Sequence, residues 1–168
     1  MERIWNIIYI FVYRLDYKLH LLFNYINPFR WIYFIPVVKR FYVKRGIDIL
    51  KEGEKAFKNP DFGLSSMRAG GFMGILIFLI CLGVTSLFSG IFELGPYLKL
   101  YHFIIFSIIG ILANQILLFR KKKYLKYFKE IESMPKEMKE KWAWISFLVV
   151  LVILFFGIGS FIFMLNRL

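Results

Sequence analysis

The residues that could do chemistry are few and far apart. His20, His102 and Cys81 are the only imidazoles and the only thiol among 168 residues. One chain therefore cannot supply the three or four nitrogen and sulfur ligands of a zinc centre, or a disulfide framework. No HExxH pair, glycine-rich phosphate loop or nucleophile elbow occurs in the sequence, so metal-assisted hydrolysis, phosphoryl transfer and acyl transfer lack their usual carriers. Arg14 and His20 stand six residues apart, but two residues on an amphipathic helix make no nuclease site. No cofactor or metal is expected, and an enzyme is disfavoured.

The elements that hold these residues explain the scarcity. Hydrophobic side chains make up 59% of the chain and aromatics 20%, against ~45–50% apolar in soluble domains. A chain of this length buries only about 70% of its surface and cannot hide so many rings. Three uncharged stretches, about 69–92, 100–119 and 142–166, each reach the ~20 residues needed to cross a bilayer. The expected fold is an all-α integral membrane protein: three transmembrane helices preceded by amphipathic interfacial or cytoplasmic helices. Residues 1–64 read as a collar and residues 65–168 as the membrane domain, with a basic hairpin over 120–141.

The net charge of +12 would raise the question of nucleic acid in a soluble protein, but its distribution answers otherwise. Twelve Lys and Arg precede residue 72, one (Lys99) lies between the first two spans, nine fall in 120–141, and one (Arg167) follows the third. Basic loops stay in the cytoplasm. The amino terminus is thus expected inside and the carboxyl terminus outside, in a bacterial inner membrane, with anionic headgroups rather than nucleic acid as the basic partner. Ile4 to Tyr13, followed by Arg14 and Asp16, does not read as a cleavable signal.

From Glu2 to Leu22, Ile4, Ile8, Phe11, Leu15, Leu19 and Leu22 share one helical face, and Glu2, Asn6, Tyr9, Tyr13, Asp16, Tyr17 and His20 share the other. Two placements fit, a helix on the inner leaflet or one packed on the protein's own bundle, and the leaflet is expected. Residues 21–38 hold Arg30, Pro28 and Pro36 and leave open a fourth, proline-broken membrane segment. From Val37 to Lys58 a basic helix is expected, with Val43, Ile47, Leu50 and Phe57 on its apolar side. Its Lys39, Arg40, Lys44 and Arg45, together with Arg120, Lys121, Lys122 and Lys123 at the end of the second span, are candidate headgroup contacts. Asp61 or Ser65 is expected to cap the first span after Asn59-Pro60.

Within the spans, Ser66, Gly70 and Gly74 recur at four-residue intervals and Cys81, Thr85 and Ser89 repeat the device on another face. Gly157 and Ser160 add a small patch, with Gly159, to the third span. Small residues at such spacing let backbones approach closely in lipid. One face is expected to serve the chain's own bundle and one another subunit or a second copy. Glu93-Leu94-Gly95-Pro96 should fold the first two spans into a hairpin. The polar membrane positions are His102, Ser107, Asn114 and Gln115. Ser107, Gly110 and Asn114 share a face, and Asn114 is expected to bond a neighbouring helix.

No acidic or basic residue lies in the central part of a span, so a gradient-driven transporter is not expected. The expected function is a non-catalytic membrane subunit that anchors or assembles a larger complex. The alternative is a homo-oligomeric pore or membrane-perturbing effector that presents Ser107, Asn114 and Gln115 to water.

Overall fold

A computed structural model describes residues 2–24, 26–94 and 98–167. The expected turn at Gly95-Pro96 and the side chains of residues 28–30 and 49–50, Arg30 and Leu50 included, lie outside the described residues. Every regular element among the described residues is helical: α1 (Glu2–Asn24), α2 (Pro28–Tyr33), α3 (Pro36–Val43), α4 (Ile49–Lys58), α5 (Leu64–Ile91), α6 (Leu100–Asn114), α7 (Lys123–Ser133) and α8 (Lys136–Leu165). A π-helical turn, Gln115–Phe119, extends α6, and a tight turn, Arg120–Lys122, joins it to α7. Three helices are long and apolar enough to cross a membrane: α5, the run from Leu100 to Ser133 that includes α6, and α8. The protein is an all-α membrane protein.

The chain divides into two compact units. One comprises Met1–Phe11 with Gly70–Leu168, and the other Val12–Ala69. We call them the membrane unit and the linking unit.

In the membrane unit, the first turns of α1 belong to the helix bundle. Asn6, Ile7, Ile8, Tyr9 and Ile10 are at most 1% exposed, whereas Ile4 is 46% exposed. The placement on the leaflet is therefore corrected for this half of the helix. Its burial joins residues from both faces of the sequence pattern, because a helix end wedged among several others is covered on more than one side. Further along, in the linking unit, Leu15, Leu19 and Leu22 are exposed while Tyr13 is buried, its hydroxyl donating to the Lys58 carbonyl.

Among its described residues from Ile26 on, the proline-containing segment forms two short helices rather than one long enough to cross a membrane. Pro28 and Pro36 each stand at the first position of a short helix, α2 and α3, where proline's missing N–H costs nothing. The single basic helix expected over residues 37–58 is two helices. Gly46 adopts φ +68°, and the N–H groups of Gly46 and Ile47 donate to Val43 and Tyr42 carbonyls, closing α3 with a left-handed turn that glycine enters without strain. Asp48 then accepts from the Lys51 N–H at 3.3 Å and caps α4. At the next junction Asn59 Oδ1 accepts from the Asp61 N–H at 2.8 Å. Ser65 does not cap α5: its hydroxyl is buried without a hydrogen-bond partner.

Candidate functional site

The richest polar site in the membrane unit lies where α1, α5, α6 and the break before α7 converge. Small residues bring the helices together. A Cβ at Gly110 would stand 2.9 Å from the Gly74 carbonyl oxygen, so the backbones of α5 and α6 touch there. Phe119 covers Gly70, with a ring atom 2.9 Å from where a Cβ would be, and the Asn114 amide approaches the same point at Gly74 to 3.3 Å. Such contacts in lipid depend on dispersion and on polar bonds, since the hydrocarbon outside is as apolar as the helix.

Asn114 is the polar centre. It is 5% exposed, its Nδ2 donates to the Gly70 carbonyl at 3.0 Å, and its Oδ1 accepts from Trp5 Nε1 at 3.4 Å. One amide thus ties α6 to both α5 and α1. One turn later Asn6 Nδ2 donates to the Leu117 carbonyl at 3.0 Å and to the Glu2 carbonyl at 2.9 Å. The helix breaks just beyond, where Lys121 and Lys122 hold φ of 57° and 52°. Carbonyls in the last turn before a break lack intrahelical donors, and the Asn6 amide supplies one. Tyr9, fully buried, packs edge-on against Phe119 and Tyr124, ring centroids 6.2 and 5.7 Å away, on both sides of that break.

Charges close the end of this arrangement. Lys123 Nζ lies 2.7 Å from Glu2 Oε2, and Arg3 donates to Glu130 Oε1 through Nη2 at 2.6 Å and Nε at 3.0 Å. The ammonium of Lys123 holds the Glu2 carboxyl below the usual carboxylate range.

The third span joins α5 by a different route. A Cβ on Gly83 would meet the Phe156 ring at 2.6 Å and Gly157 Cα at 3.2 Å. One on Gly90 would meet the Phe163 ring at 2.8 Å, and one on Gly157 the Leu79 carbonyl at 2.9 Å. Gly159 faces open space. Ser160 is buried, as are Ser86 and Ser146, whose hydroxyls have no hydrogen-bond partner.

The remaining positions separate. Ser89 is buried, while Cys81 and Thr85 are half-buried. Thr85 and Ser89 line an open groove of about 420 Å³ with Val84, Phe88 and Leu94. Ser107 is exposed and donates to the Phe103 carbonyl at 2.8 Å, and Gln115 is also exposed. The shared face expected for Ser107, Gly110 and Asn114 is thus corrected: Gly110 and Asn114 turn inward and Ser107 outward. Phe106, Gly110, Asn114 and Leu118 are buried in steps of four, and each such step drifts about 40° around an α-helix, leaving Ser107 off the stripe. His102 accepts from the Lys99 N–H through Nδ1 at 3.0 Å and caps α6. Arg120, Lys121 and Lys122 are exposed, whereas Lys123 is spent on Glu2. Sequence reasoning set Glu2 and Asn6 on a headgroup face and Trp5 beside the apolar one without finding their partners, and it missed Gly83 and Gly90. The glycines carried a usable signal in their seven-residue spacing along α5.

In the linking unit, Ser66 is buried and its hydroxyl donates to the Pro60 carbonyl at 2.8 Å. His20 lies flat on Phe57, centroids 3.4 Å apart, and Arg68 sits 5.4 Å from the same ring and 3.7 Å from Asp16. Burial, then the Arg68 charge, push the His20 imidazole below its ordinary value against the opposing pull of Asp16. Lys39, Arg40, Lys44 and Arg45 are exposed. Among the described residues no three His, Cys, Asp or Glu side chains gather as a metal site.

Compared with protein-family models, curated proteins and solved structures, the chain matches none.

Proposed function

We propose that this protein is a non-catalytic membrane subunit that anchors or assembles a larger complex in a bacterial inner membrane. The observation that carries the reading is the inward commitment of its deep polar groups. Asn114 and Asn6 place their amide donors on backbone carbonyls of the same chain, leaving outer surfaces of α5, α6 and α8 that are mostly apolar. A protein so built offers packing surfaces rather than reactive groups. The groove bearing Thr85 and Ser89 is a fitting seat for a partner helix.

The orientation proposed is amino terminus inside and carboxyl terminus outside. Its support is the segregation of Lys and Arg into the two segments read as cytoplasmic. Labelling of single cysteines in a Cys81-free background tests it: an impermeant reagent should modify position 94 but not 127 in intact cells, and the reverse overturns it.

Gentle extraction followed by identification of co-purifying proteins tests the subunit reading. A stoichiometric membrane partner, lost when Thr85 is replaced by Trp, is expected. One observation favours a homo-oligomer instead: the exposed amide of Gln115 within the apolar second span, since polar groups at depth favour protein or water as neighbours. Selective conductance by the purified protein alone, abolished by Gln115→Leu with the oligomer intact, would replace the subunit by a pore.

A further inference from the structure

The segment from Trp31 to Arg45 combines two properties that soluble surfaces keep apart. Its cations have no acid among them: residues 17–47 contain Lys18, Arg30, Lys39, Arg40, Lys44 and Arg45 and not one Asp or Glu. Yet the side chains between those cations are large, apolar and exposed. Trp31 is 70% and Val37 75% exposed, and Phe34, Phe41 and Val43 are all close to half exposed or more. Within α3 only Val38 and Tyr42 are half-buried, so the rest of the helix surface is presented outward.

α4 is the counterexample within the same unit. Lys51 is 3.8 Å from Asp48 and Lys55 2.7 Å from Glu52, the arrangement of a solvated helix that neutralises itself. α3 has no acid of its own to neutralise its cations. Arg45 places its guanidinium 4.0 Å above the exposed Phe41 ring, which occupies the face of the guanidinium and not its in-plane N–H donors. A ring below and a fork of donors at its edge fit the boundary between acyl chains and phosphates. The segment is tethered through α4 to α5, which crosses the bilayer.

We infer that α2 and α3 form an interfacial clamp selective for anionic phospholipid, with Val37 and Phe41 among the acyl chains and Lys39, Arg40, Lys44 and Arg45 on headgroup phosphates. The opposite charge supplies the selectivity, and the exposed apolar side chains fix the depth. The clamp rests on the membrane location of the protein and not on its being a subunit of anything.

The test uses the full chain with Cys81→Ser, labelled with an environment-sensitive fluorophore at Val37→Cys or, as a reference, at Lys51→Cys. The chain is reconstituted into vesicles of phosphatidylcholine with or without phosphatidylglycerol, with brominated acyl chains as quenchers. Quenching at position 37 should be at least about twofold that at 51 in vesicles containing phosphatidylglycerol. It should fall to the reference level in pure phosphatidylcholine, and also when Lys39, Arg40, Lys44 and Arg45 are all changed to Glu. The fourfold change to Gln, with helicity and sizing unaltered, should give the same loss and guards against misfolding of the reversed variant. Equal exposure of both labels in both vesicles overturns the clamp and marks a solvated face or one reserved for an acidic protein. Equal quenching at 37 whatever the lipid charge overturns it too, leaving apolar insertion without headgroup recognition.

Discussion

Along its length α5 is closely approached twice, and the two approaches are made differently. Near Gly70 and Gly74 it meets α6 through backbone contact at Gly110 and an amide, Asn114, that bonds across. Near Gly83 and Gly90 it meets α8 through glycines roofed by the Phe156 and Phe163 rings. The first seam is directional, because a carbonyl and an amide must align. At Gly83 and Gly90 the second turns on shape, rings filling small hollows and gaining dispersion there. Glycine permits both, and the neighbour decides which kind results.

The comparison breaks most readily at its tightest point. Gly110→Leu drives a side chain into the Gly74 backbone, which cannot swing aside, and should cost about 3 kcal/mol, read as a fall in unfolding free energy in detergent or bicelles. A tolerated Leu there would mean that the first seam is open. Gly83→Ala and Gly74→Ala form the next pair. At Gly83 the ring at 2.6 Å is backed by Gly157 Cα at 3.2 Å, so a loss of about 2 kcal/mol is expected. At Gly74 only an amide end lies at 3.3 Å, and the roughly 1 kcal/mol gained in helix propensity should leave the variant near neutral. Equal losses would erase the distinction between the seams.

Asn114→Leu measures the directional part itself. It should cost ~0.6–1.7 kcal/mol, the range of interhelical hydrogen bonds in membranes, and should blue-shift Trp5 emission as the indole loses its acceptor. The smallest effect concerns the latch at the end of the first seam. Glu2 titrates below the usual carboxylate range because Lys123 stabilises its ionised form. A depressed carboxylate stabilises the fold above its unfolded value and loses that contribution as pH falls through the folded one. A slight drop in melting temperature below about pH 4.5 is therefore expected, and Glu2→Gln should remove that slope. An unchanged slope would assign it to another carboxylate.

The spans were legible because hydrocarbon imposes a single demand, some twenty uncharged residues, that no other environment imitates. Close approach at Gly70 and Gly74 was legible because small residues at four-residue spacing report that a neighbour comes close. What spacing cannot report is the identity of the neighbour. Asn6 sits on a face that reads as headgroup-facing, and its acceptor, the Leu117 carbonyl, is created by a helix break 111 residues away. Ser107 misled because seven residues is nearly two turns, yet the buried stripe of α6 advances by fours and drifts past it. The break at Gly46 was hidden by the cations that continue across it, although the glycine that adopts φ +68° stood in plain view.

The attachment of the amino terminus also sets a timetable for manufacture. Glu2, Arg3, Trp5 and Asn6 find their partners at Lys123, Glu130, Asn114 and Leu117, between 109 and 127 residues later. A ribosome adding ~5–20 residues per second takes roughly 6–25 s to reach them. Through that interval the start of the chain has been made and its berth has not. A nascent chain stalled before residue 114 should therefore leave the first helix accessible to protease or chaperone, and release past residue 130 should withdraw it.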